Sequence, residues 1–373
     1  MPRRIAVTGS RGKSGVTRLV AAGLRASGAR VLAKTTGSKP VLILPDGSER
    51  VIARAGGASI REQVRLVALA AELGADTLVA EMMSIGPECL RVESRRILRP
   101  GMLALTNVRL DHLDDMGRDK DAIARTLASA VPDGADVFVP EEEVREAFSG
   151  AARSAGARLH RVTRAERREG TGEGIPERLP PGEFEPNIRL ARAVLGALSV
   201  DREAADRGIA GAAPDAGSLR IRRGLFGRPP RPATCVSLFA ANEPESSAAA
   251  LAEVLGYIPR AGRPLVGLLA LREDRGDRTL QWVRAAGEGF FRDFAAVVLV
   301  GPPARPALRR IRRTKPPGAT QFSAAGGGSP EAVMDRVMAA VLGEPIVVGL
   351  GNFVGPGEAF VRHWESEGTA HDR

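Results

Sequence analysis

The sequence predicts an α/β protein of two domains, each built on a mostly parallel β-sheet. Three observations indicate this fold class. Short apolar strands alternate with amphipathic helices along most of the chain, and a glycine-bearing turn joins the first strand to the first helix. The alternation then restarts after a segment rich in glycine and proline at residues 224–232, which we interpret as a linker. We therefore expect the domains to cover residues 1–226 and 227–373.

The chain opens with a strand, a turn and a helix that together predict a phosphate-binding loop. The turn reads Thr8-Gly9-Ser10-Arg11-Gly12-Lys13-Ser14. Glycines allow backbone N–H groups to face a ligand, the helix N-terminus adds positive potential, and Lys13 can reach the phosphates of a nucleotide. Ser14 offers a hydroxyl group to Mg²⁺. Val7 stands where the full P-loop pattern has glycine, so the alternative is an ordinary strand–turn–helix with a surface lysine.

Polar residues follow several of the other predicted strands in the first half of the chain. Strands are predicted at residues 30–34, 76–80, 102–106, 136–139 and 158–162, with a hairpin at residues 41–53. In parallel sheets, ligands bind beyond the carboxyl ends of the strands. The phosphate loop, Glu81 and residues 107–114 all occupy such positions, so we expect them on one edge of the sheet. Residues 161–186 lack periodicity and are predicted to form a surface loop or insertion.

Two of these clusters contain candidate metal ligands. Glu81 closes an apolar strand, and Asp111-His112-Leu113-Asp114 places an imidazole between carboxylates in a short loop. Carboxylate and neutral imidazole groups both bind divalent metals. The alternatives are that Glu81 pairs with an arginine, and that the aspartates cap a helix.

The second half of the chain repeats the alternation, with strands predicted near residues 234–239, 265–270, 296–301 and 346–350. The glycines at residues 349–355 follow a strand, but Val354 breaks the dinucleotide-binding spacing, which favours a tight turn over a second nucleotide site. Arg272, Arg275 and Arg278 alternate with acidic residues. They could bind the carboxylates of glutamate, or form a salt-bridge network or a subunit contact, and the sequence leaves these alternatives open.

Composition restricts the compartment and the partners. The 373 residues carry a net charge of +10, but the basic residues are spread along the chain and are not interleaved with aromatic residues. We therefore expect no nucleic-acid partner. The two cysteines form no disulfide framework, and we find no leader sequence and no membrane-spanning stretch. These features predict a cytoplasmic protein.

Several motifs together resemble the Mur ligase/folylpolyglutamate synthase superfamily. Residues 8–14, Glu81 and Asn107-x-x-x-Asp111-His112-Leu113-Asp114 are similar to its ATP-binding core. Further motifs resemble one branch, the PgsB/CapB family of poly-γ-glutamate synthase ligase subunits. These are Lys34-Thr35-Thr36-Gly37, Pro214-Asp215-x-Gly217, Asn242-x-Pro244-Glu245-Ser246, Arg275-x-Asp277-Arg278 and Gly349-x-Gly351-Asn352. The resemblance implies a Mur-ligase-like P-loop ATPase domain followed by a Rossmann-like ligase domain.

The resemblance also implies residue roles. In this family Arg220 would be directed at the phosphates, Asn187 would lie beside the nucleotide base, and the domain that contains Asn242 would close over the nucleotide. Phe239 stands where Mur relatives carry aspartate, and residues 120–131 contain no lysine in the middle of the predicted helix to match their carbamylated lysine. The implied catalytic residues are Lys13, Glu81, His112 and Arg220; the nucleotide-binding residues are Thr8, Gly9, Ser10, Arg11, Gly12, Lys13, Ser14, Asn187 and Asn242; and the Mg²⁺ ligands are Ser14, Glu81 and His112.

The activity implied by the resemblance is ATP- and Mg²⁺-dependent formation of γ-glutamyl amide bonds through an acyl phosphate. The implied partners are glutamate, the growing poly-γ-glutamate chain, further copies of this subunit and a small integral membrane subunit at the inner face of the membrane. One alternative is a Mur- or folylpolyglutamate-type ligase that adds an amino acid to a small acceptor. Another is a P-loop ATPase that regulates other proteins without ligating anything.

Overall fold

The computed structural model describes residues 3–37, 40–54, 58–164, 183–215, 218–258, 260–325 and 327–370. The chain divides into two compact units, Met1–Ala216 and Gly217–Arg373. Most of the predicted insertion at residues 161–186 lies outside the described residues. None of the described helices is both long and apolar enough to cross a membrane.

The first unit contains a mixed sheet in which, among the described residues, eight strands are ordered β4-β3-β2-β5-β1-β6-β7-β8. The strands are β1 (Arg3–Thr8), β2 (Val31–Lys34), β3 (Val41–Ile43), β4 (Glu49–Val51), β5 (Thr77–Glu81), β6 (Met102–Leu105), β7 (Asp136–Pro140) and β8 (Arg158–Val162). Strands β2, β5, β1, β6, β7 and β8 run parallel to one another, whereas β3 is antiparallel to β2 and forms the predicted antiparallel hairpin with β4. Because β1 lies between β5 and β6, the carboxyl ends of these three strands meet at one edge.

Helices cover both faces of this sheet. They are α1 (Lys13–Ala26), α2 (Arg61–Glu72), α3 (Pro87–Val92), α4 (Leu113–Met116), α5 (Lys120–Ala128), α6 (Glu146–Ser154), α7 (Glu185–Ala197) and α8 (Arg202–Ala210). On one face α1 packs with α7 and α8, and its apolar stripe of Val16, Leu19, Val20 and Leu24 is buried. The other face carries Leu66 of α2, Ile123 of α5 and Phe148 of α6. The α/β fold class predicted from periodicity is confirmed.

The second unit contains a sheet in which the described strands are ordered β13-β12-β11-β14-β10-β9-β15. The strands are β9 (Arg220–Phe226), β10 (Arg231–Ser237), β11 (Leu265–Ala270), β12 (Ala296–Val300), β13 (Gln321–Ala324), β14 (Ile346–Gly351) and β15 (Gly368–Ala370). The helices are α9 (Pro244–Tyr257), α10 (Gly276–Gly287), α11 (Ala304–Thr314), α12 (Pro330–Ala339) and α13 (Glu358–Glu367). Strands β10 to β14 are parallel, whereas β9 and β15 are antiparallel additions at one edge.

The segment predicted as a linker at residues 224–232 instead contains the turn of a β-hairpin together with the adjoining ends of its two strands. Strand β9 pairs antiparallel with β10 from Arg220 opposite Ser237 to Phe226 opposite Arg231. Glycine and proline occur in both linkers and hairpin turns, and composition alone does not separate the two. The functional division at residue 226 remains a proposal, while the compact units meet at residues 216 and 217.

Candidate active site

The phosphate loop lies between β1 and α1 and depends on two glycines. Gly9 has φ +127° and Gly12 has φ +76°, a region in which residues with side chains are strained. A Cβ atom on Gly9 would lie 2.2 Å from Thr106 Oγ1, and one on Gly12 would lie 2.7 Å from Asn187 Oδ1. The loop therefore adopts this path only because these positions carry no side chain.

The segment after β6 holds the loop in place. Ser10 Oγ donates to the carbonyl of Arg109, whose N–H donates to the same hydroxyl oxygen at 3.0 Å. Asn107 makes two bonds to Arg11, accepting from its N–H at 3.0 Å and donating to its carbonyl at 3.1 Å. Thr106 Oγ1 also donates to the carbonyl of Arg11. The backbone of the loop is therefore preorganised by side chains about 95 residues later in the sequence.

Lys13 begins α1 and curls back over the loop. Its Nζ donates to the carbonyl of Gly9 at 2.8 Å and lies 3.4 Å from the carbonyl of Ser10. Burial lowers the pKa of the Lys13 ammonium, and the charges of Glu81 and Asp111 oppose this shift. The first-turn N–H groups of a helix have no partner within that helix, so they and the Lys13 ammonium suit an anion such as a phosphate.

Ser14 and Glu81 are brought together, as the shared metal role predicted for them requires. Ser14 Oγ donates to Glu81 Oε2 at 2.8 Å, and the N–H of Thr36 donates to the same carboxylate oxygen at 2.7 Å. Glu81 is buried at 2% exposure. The described partners of the Glu81 carboxylate are thus a hydroxyl and a backbone N–H group, and no described arginine pairs with it. A hydroxyl and a carboxylate side by side form a donor set that fits Mg²⁺, which binds few protein ligands together with phosphate oxygens.

A buried polar network fixes the backbone that follows Glu81. Glu93 is fully buried, and its carboxylate accepts from the N–H groups of Met83 at 3.0 Å and Ser84 at 2.9 Å. The amide of Gln63 donates to Glu93 at 2.6 Å and to the carbonyl of Glu81 at 2.9 Å. No motif in the sequence predicts a role for Glu93 or Gln63. Each is a polar residue in a helical segment, which is the only signal the sequence offers.

Lys34 extends this network at the end of β2. Lys34 is 1% exposed, its Nζ lies 3.1 Å from Glu62, and it donates weakly to Gln63 at 3.4 Å. Burial alone would raise the pKa of Glu62, but hydrogen bonds from Arg54 and Lys34 outweigh it and lower that pKa to about 2. The Lys-Thr-Thr-Gly motif therefore places a buried cation beside the strand that ends in Glu81.

His112 is connected to the phosphate loop through Asp111. The Nε2 of His112 lies 3.7 Å from Asp111 Oδ2, and Arg11 of the loop lies 3.2 Å from Asp111 Oδ1. His112 itself has φ +47° and precedes α4. Asp111 thus pairs with the loop, although the sequence also allowed an Asp-rich cap. In the parts of the chain that the structure describes, no group of three or more His, Cys, Asp or Glu side chains is arranged to hold a metal ion.

Asn187 and Glu183 lie against the other side of the loop. Asn187 is buried beside Gly12, and its Nδ2 donates to Glu183 Oε1 at 2.5 Å. A Cβ atom on Gly15 would lie 2.3 Å from Glu183 Oε2. Residues 161–186 are predicted to form a surface loop or insertion, but Glu183 within this range is 9% exposed and its carboxylate lies against Gly15 of α1. Glu183 and Asn187 are four residues apart, and no recognisable sequence motif marks the pair.

The predicted site residues of the second unit have partners within that unit. Arg220 lies on β9 and forms an ion pair with Glu365 of α13. Asn242 has φ +38° and its carbonyl accepts from Trp282 Nε1 at 3.3 Å. Phe239 is fully buried and stacks on Trp364 at 5.7 Å between ring centroids. The roles of Arg220 and Asn242 toward a nucleotide remain predictions.

The arginine cluster and the last glycine turn are held by local contacts. Arg272 pairs with Asp274 at 2.6 Å, and buried Arg278 donates to Asn352 Oδ1 at 3.3 Å. Gly351 has φ +84°, and a Cβ atom there would lie 2.2 Å from the carbonyl oxygen of Ala270. The chain therefore turns tightly after Gly351, where β14 ends against β11, as the spacing predicted.

Two family models match the sequence. The Mur ligase middle domain matches residues 7–168, and the C-terminal domain of poly-gamma-glutamate synthase CapB matches residues 226–367. The capsule biosynthesis protein CapB of Bacillus anthracis is 30% identical over 365 residues, which cover 97% of this chain and 76% of the relative. The PGA synthase CapB of Bacillus subtilis is 28% identical over 365 residues, which cover 97% of this chain and 90% of the relative.

Solved structures show the same fold. E. coli FolC in complex with DHPP and ADP superposes with a TM-score of 0.65 at 19% identity, covering 98% of this chain and 88% of FolC. A bifunctional folylpolyglutamate synthase/dihydrofolate synthase from Yersinia pestis, complexed with AMPPNP and Mn ion, gives a TM-score of 0.65 at 17% identity, with 98% and 88% coverage. MurF from Acinetobacter baumannii gives 0.65 at 17% identity over 98% and 77% of the two chains.

The comparisons and the site point to the same family. The relatives, the family models and the solved structures are those of ligases, and the site has a phosphate loop with a carboxylate at its edge. The chain therefore belongs to the CapB family of poly-γ-glutamate synthases within the Mur ligase fold, and it is an ATP-dependent amide ligase.

Proposed function

We propose that this ligase forms γ-glutamyl bonds and extends poly-γ-glutamate. One observation carries the proposal: the Ser14 hydroxyl and the Glu81 carboxylate meet 2.8 Å apart beside a phosphate loop, in a chain of the CapB family. This arrangement can bind a nucleotide triphosphate with a divalent metal, which is what activation of a carboxylate requires.

The chain's own residues divide the work of binding. Lys13 neutralises phosphate charge, and the N–H groups of the first turn of α1 donate to phosphate oxygens. Ser14, Glu81 and His112 would hold Mg²⁺, which when bound neutralises the charge on the transferred phosphoryl group. Glu93 and Gln63 position Glu81 by fixing the backbone on its carboxyl side.

The chemistry proceeds in two steps. The γ-carboxylate of glutamate or of the chain end attacks the γ-phosphorus of ATP, which gives an acyl phosphate and ADP. The amino group of the next glutamate then attacks the acyl carbon, phosphate leaves, and a proton is released. Both steps are favoured by fixed positions and by neutralised charge rather than by covalent chemistry of the protein.

The same family membership supports the proposed partners. Glutamate and the poly-γ-glutamate chain are the substrates, and a small integral membrane subunit docks the ligase at the cytoplasmic face of the membrane. We also propose that several copies of the chain assemble. The names of the relatives, a capsule biosynthesis protein and a PGA synthase, support a polymer product that becomes part of a capsule.

The test is phosphate release from Mg-ATP with and without glutamate or a poly-γ-glutamate primer. We expect release that depends on glutamate, disappears in Lys13→Ala, and accompanies a γ-linked product identified by mass spectrometry. Release that is indifferent to every amino acid, both alone and with the membrane subunit present, would refute the ligase chemistry and favour an ATPase regulator. Single additions to a small acceptor, with no longer products, would favour a folylpolyglutamate-type ligase.

A further inference from the structure

Helix α11 and the residue that ends it contain the densest positive charge in the chain. Between Asp293 and Glu331 the sequence has no carboxylate and six cations: Arg305, Arg309, Arg310, Arg312, Arg313 and Lys315. The net charge of the whole chain is +10, so this short segment supplies six of the ten excess charges. The excess charge is therefore concentrated, although the sequence analysis described the basic residues as spread along the chain.

The fold turns all six cations outward. Helix α11 buries Ala304, Ala307 and Ile311 against the rest of the second unit, and their spacing places them on one face of the helix. The six cations lie on the remaining surface, where each is exposed. We call this set of six side chains the cationic face.

The charges of the cationic face are not neutralised by the chain itself. Across the described residues, none of the six has a carboxylate oxygen within ion-pair distance, whereas arginines on other helices do, such as Arg192 with Asp206 at 2.7 Å. Arg305 and Arg309, and Arg309 and Arg313, are like charges at i,i+4 spacing, which repel and destabilise a helix. Only the cations of the last turn gain from the helix dipole. The helix therefore carries more positive charge than its own stability favours.

We propose that the cationic face binds poly-γ-glutamate, the polycarboxylate product; this inference rests on the proposed function. Guanidinium groups bind carboxylates through two parallel hydrogen bonds. Arginines four residues apart on a helix are separated by about 6 Å along its axis, so several can contact successive carboxylates of one extended chain. Because the side chains are exposed and flexible, the contacts are not tied to one register, and the polymer can move along the face as it grows.

Two other polyanions fit the face less well. A helix that lies in a membrane surface inserts a free apolar face, whereas the apolar face of α11 is already buried in its own unit. Single-stranded nucleic acid is bound with aromatic side chains that stack on bases, and residues 302–320 contain no aromatic residue. A flexible polycarboxylate requires neither feature.

The test is binding of fluorescently labelled poly-γ-glutamate to the full chain. Binding is measured by fluorescence anisotropy at several salt concentrations and without nucleotide. In the variant R305Q/R309Q/R313Q we expect the affinity to fall at least about tenfold and the dependence on salt to become shallower, because fewer counterions are released. The matched control R153Q/R207Q/R362Q removes the same charge from exposed arginines that pair with Glu146, Glu203 and Glu358. It should keep the affinity of the wild type.

Three outcomes would overturn the inference: equal losses in both triple variants, no binding by the wild type, or tighter binding of the same face to single-stranded DNA or to phosphatidylserine vesicles. Glutamate-dependent phosphate release by the wild type is measured separately. If the wild type shows no glutamate-dependent release, the proposed function is refuted. The binding result still tests the cationic face by itself.

Discussion

Two glycine turns of this protein begin in the same way and end differently. Gly9 follows β1 and Gly351 ends β14; both have positive φ, and at each a Cβ atom would lie 2.2 Å from a neighbouring oxygen atom. After Gly9 the chain enters α1 with Lys13 and Ser14 in its first turn. After Gly351 comes buried Asn352, whose amide already donates to the carbonyl of Ala270 at 3.2 Å and accepts from Arg278. A glycine after a buried strand therefore indicates a close approach of backbone, and the residues that follow determine whether a ligand can bind.

The largest expected effect that separates the two turns is that of Lys13→Ala. Loss of the ammonium from the first turn should reduce glutamate-dependent phosphate release at least about 100-fold, because charge on the transferred phosphoryl group is no longer neutralised. The measurement is steady-state phosphate release, with the melting temperature as a check of folding. Lys120→Ala, at the start of α5, is the control and should retain activity. If Lys13→Ala releases phosphate at the wild-type rate, the loop is not a nucleotide site.

The second prediction compares Gly9→Ala with Gly351→Ala. Each should lower the free energy of unfolding by about 2–4 kcal/mol, through positive-φ strain and overlap with a neighbouring oxygen. Only Gly9→Ala should also weaken binding of a nucleotide analogue by the folded protein. Denaturant unfolding and calorimetric titration measure the two effects. Equal losses of nucleotide affinity would contradict the distinction between the turns.

The third prediction concerns the support behind Glu81. Glu93→Gln places an amide group next to the N–H donors of Met83 and Ser84, and should reduce stability by about 2 kcal/mol. It should also weaken Mn²⁺ binding in the presence of nucleotide, measured by electron paramagnetic resonance, because Glu81 loses its fixed backbone. Glu72→Gln, at the exposed end of α2, is the matched control and should change neither quantity. Unaltered Mn²⁺ binding in Glu93→Gln would remove Glu93 from the set of positioning residues.

The fourth prediction concerns pH. The pKa of Glu62 is lowered to about 2 in the folded protein from its ordinary value of 4.5, so its ion pairs stabilise the fold above pH 4.5 and this contribution is lost as the pH falls toward 2. Because the group is partly solvated, we expect only about 1 kcal/mol from this source. The difference in unfolding free energy between wild type and Glu62→Gln should shrink over this range. A difference that is the same at pH 6 and pH 2 would contradict it.

The smallest effect is expected for Arg272→Ala, which tests one alternative left open by the sequence. Its ion pair with Asp274 is exposed, so the loss should be at most about 0.5 kcal/mol. Glutamate affinity should be unchanged, as measured by the KM for glutamate in phosphate release. A raised KM with normal stability would instead support binding of glutamate carboxylates by this cluster.

The sequence by itself determined the features that depend on neighbours along the chain. Strand, loop and helix at residues 4–27 follow from β-branched residues, glycines and an apolar stripe within about two dozen positions, and the α/β class follows from repetition of such units. The sequence also predicted that the phosphate loop and Glu81 share one edge of the sheet; that β1 and β5 are adjacent, so that Ser14 meets Glu81, is a finding of the structure.

The tertiary structure alone decided which side chains from distant segments complete the site. Glu93 behind Glu81 and Glu183 beside Gly15 come from helices and loops whose positions depend on packing, and no local pattern encodes that. The sequence predicts a linker at residues 224–232 where the structure has a hairpin turn, because glycine and proline are common in both. The cationic face became visible only when burial of Ala307 and Ile311 showed which way its arginines point. Local propensity acts over a few residues, whereas these contacts depend on how distant segments of the chain pack together in the fold.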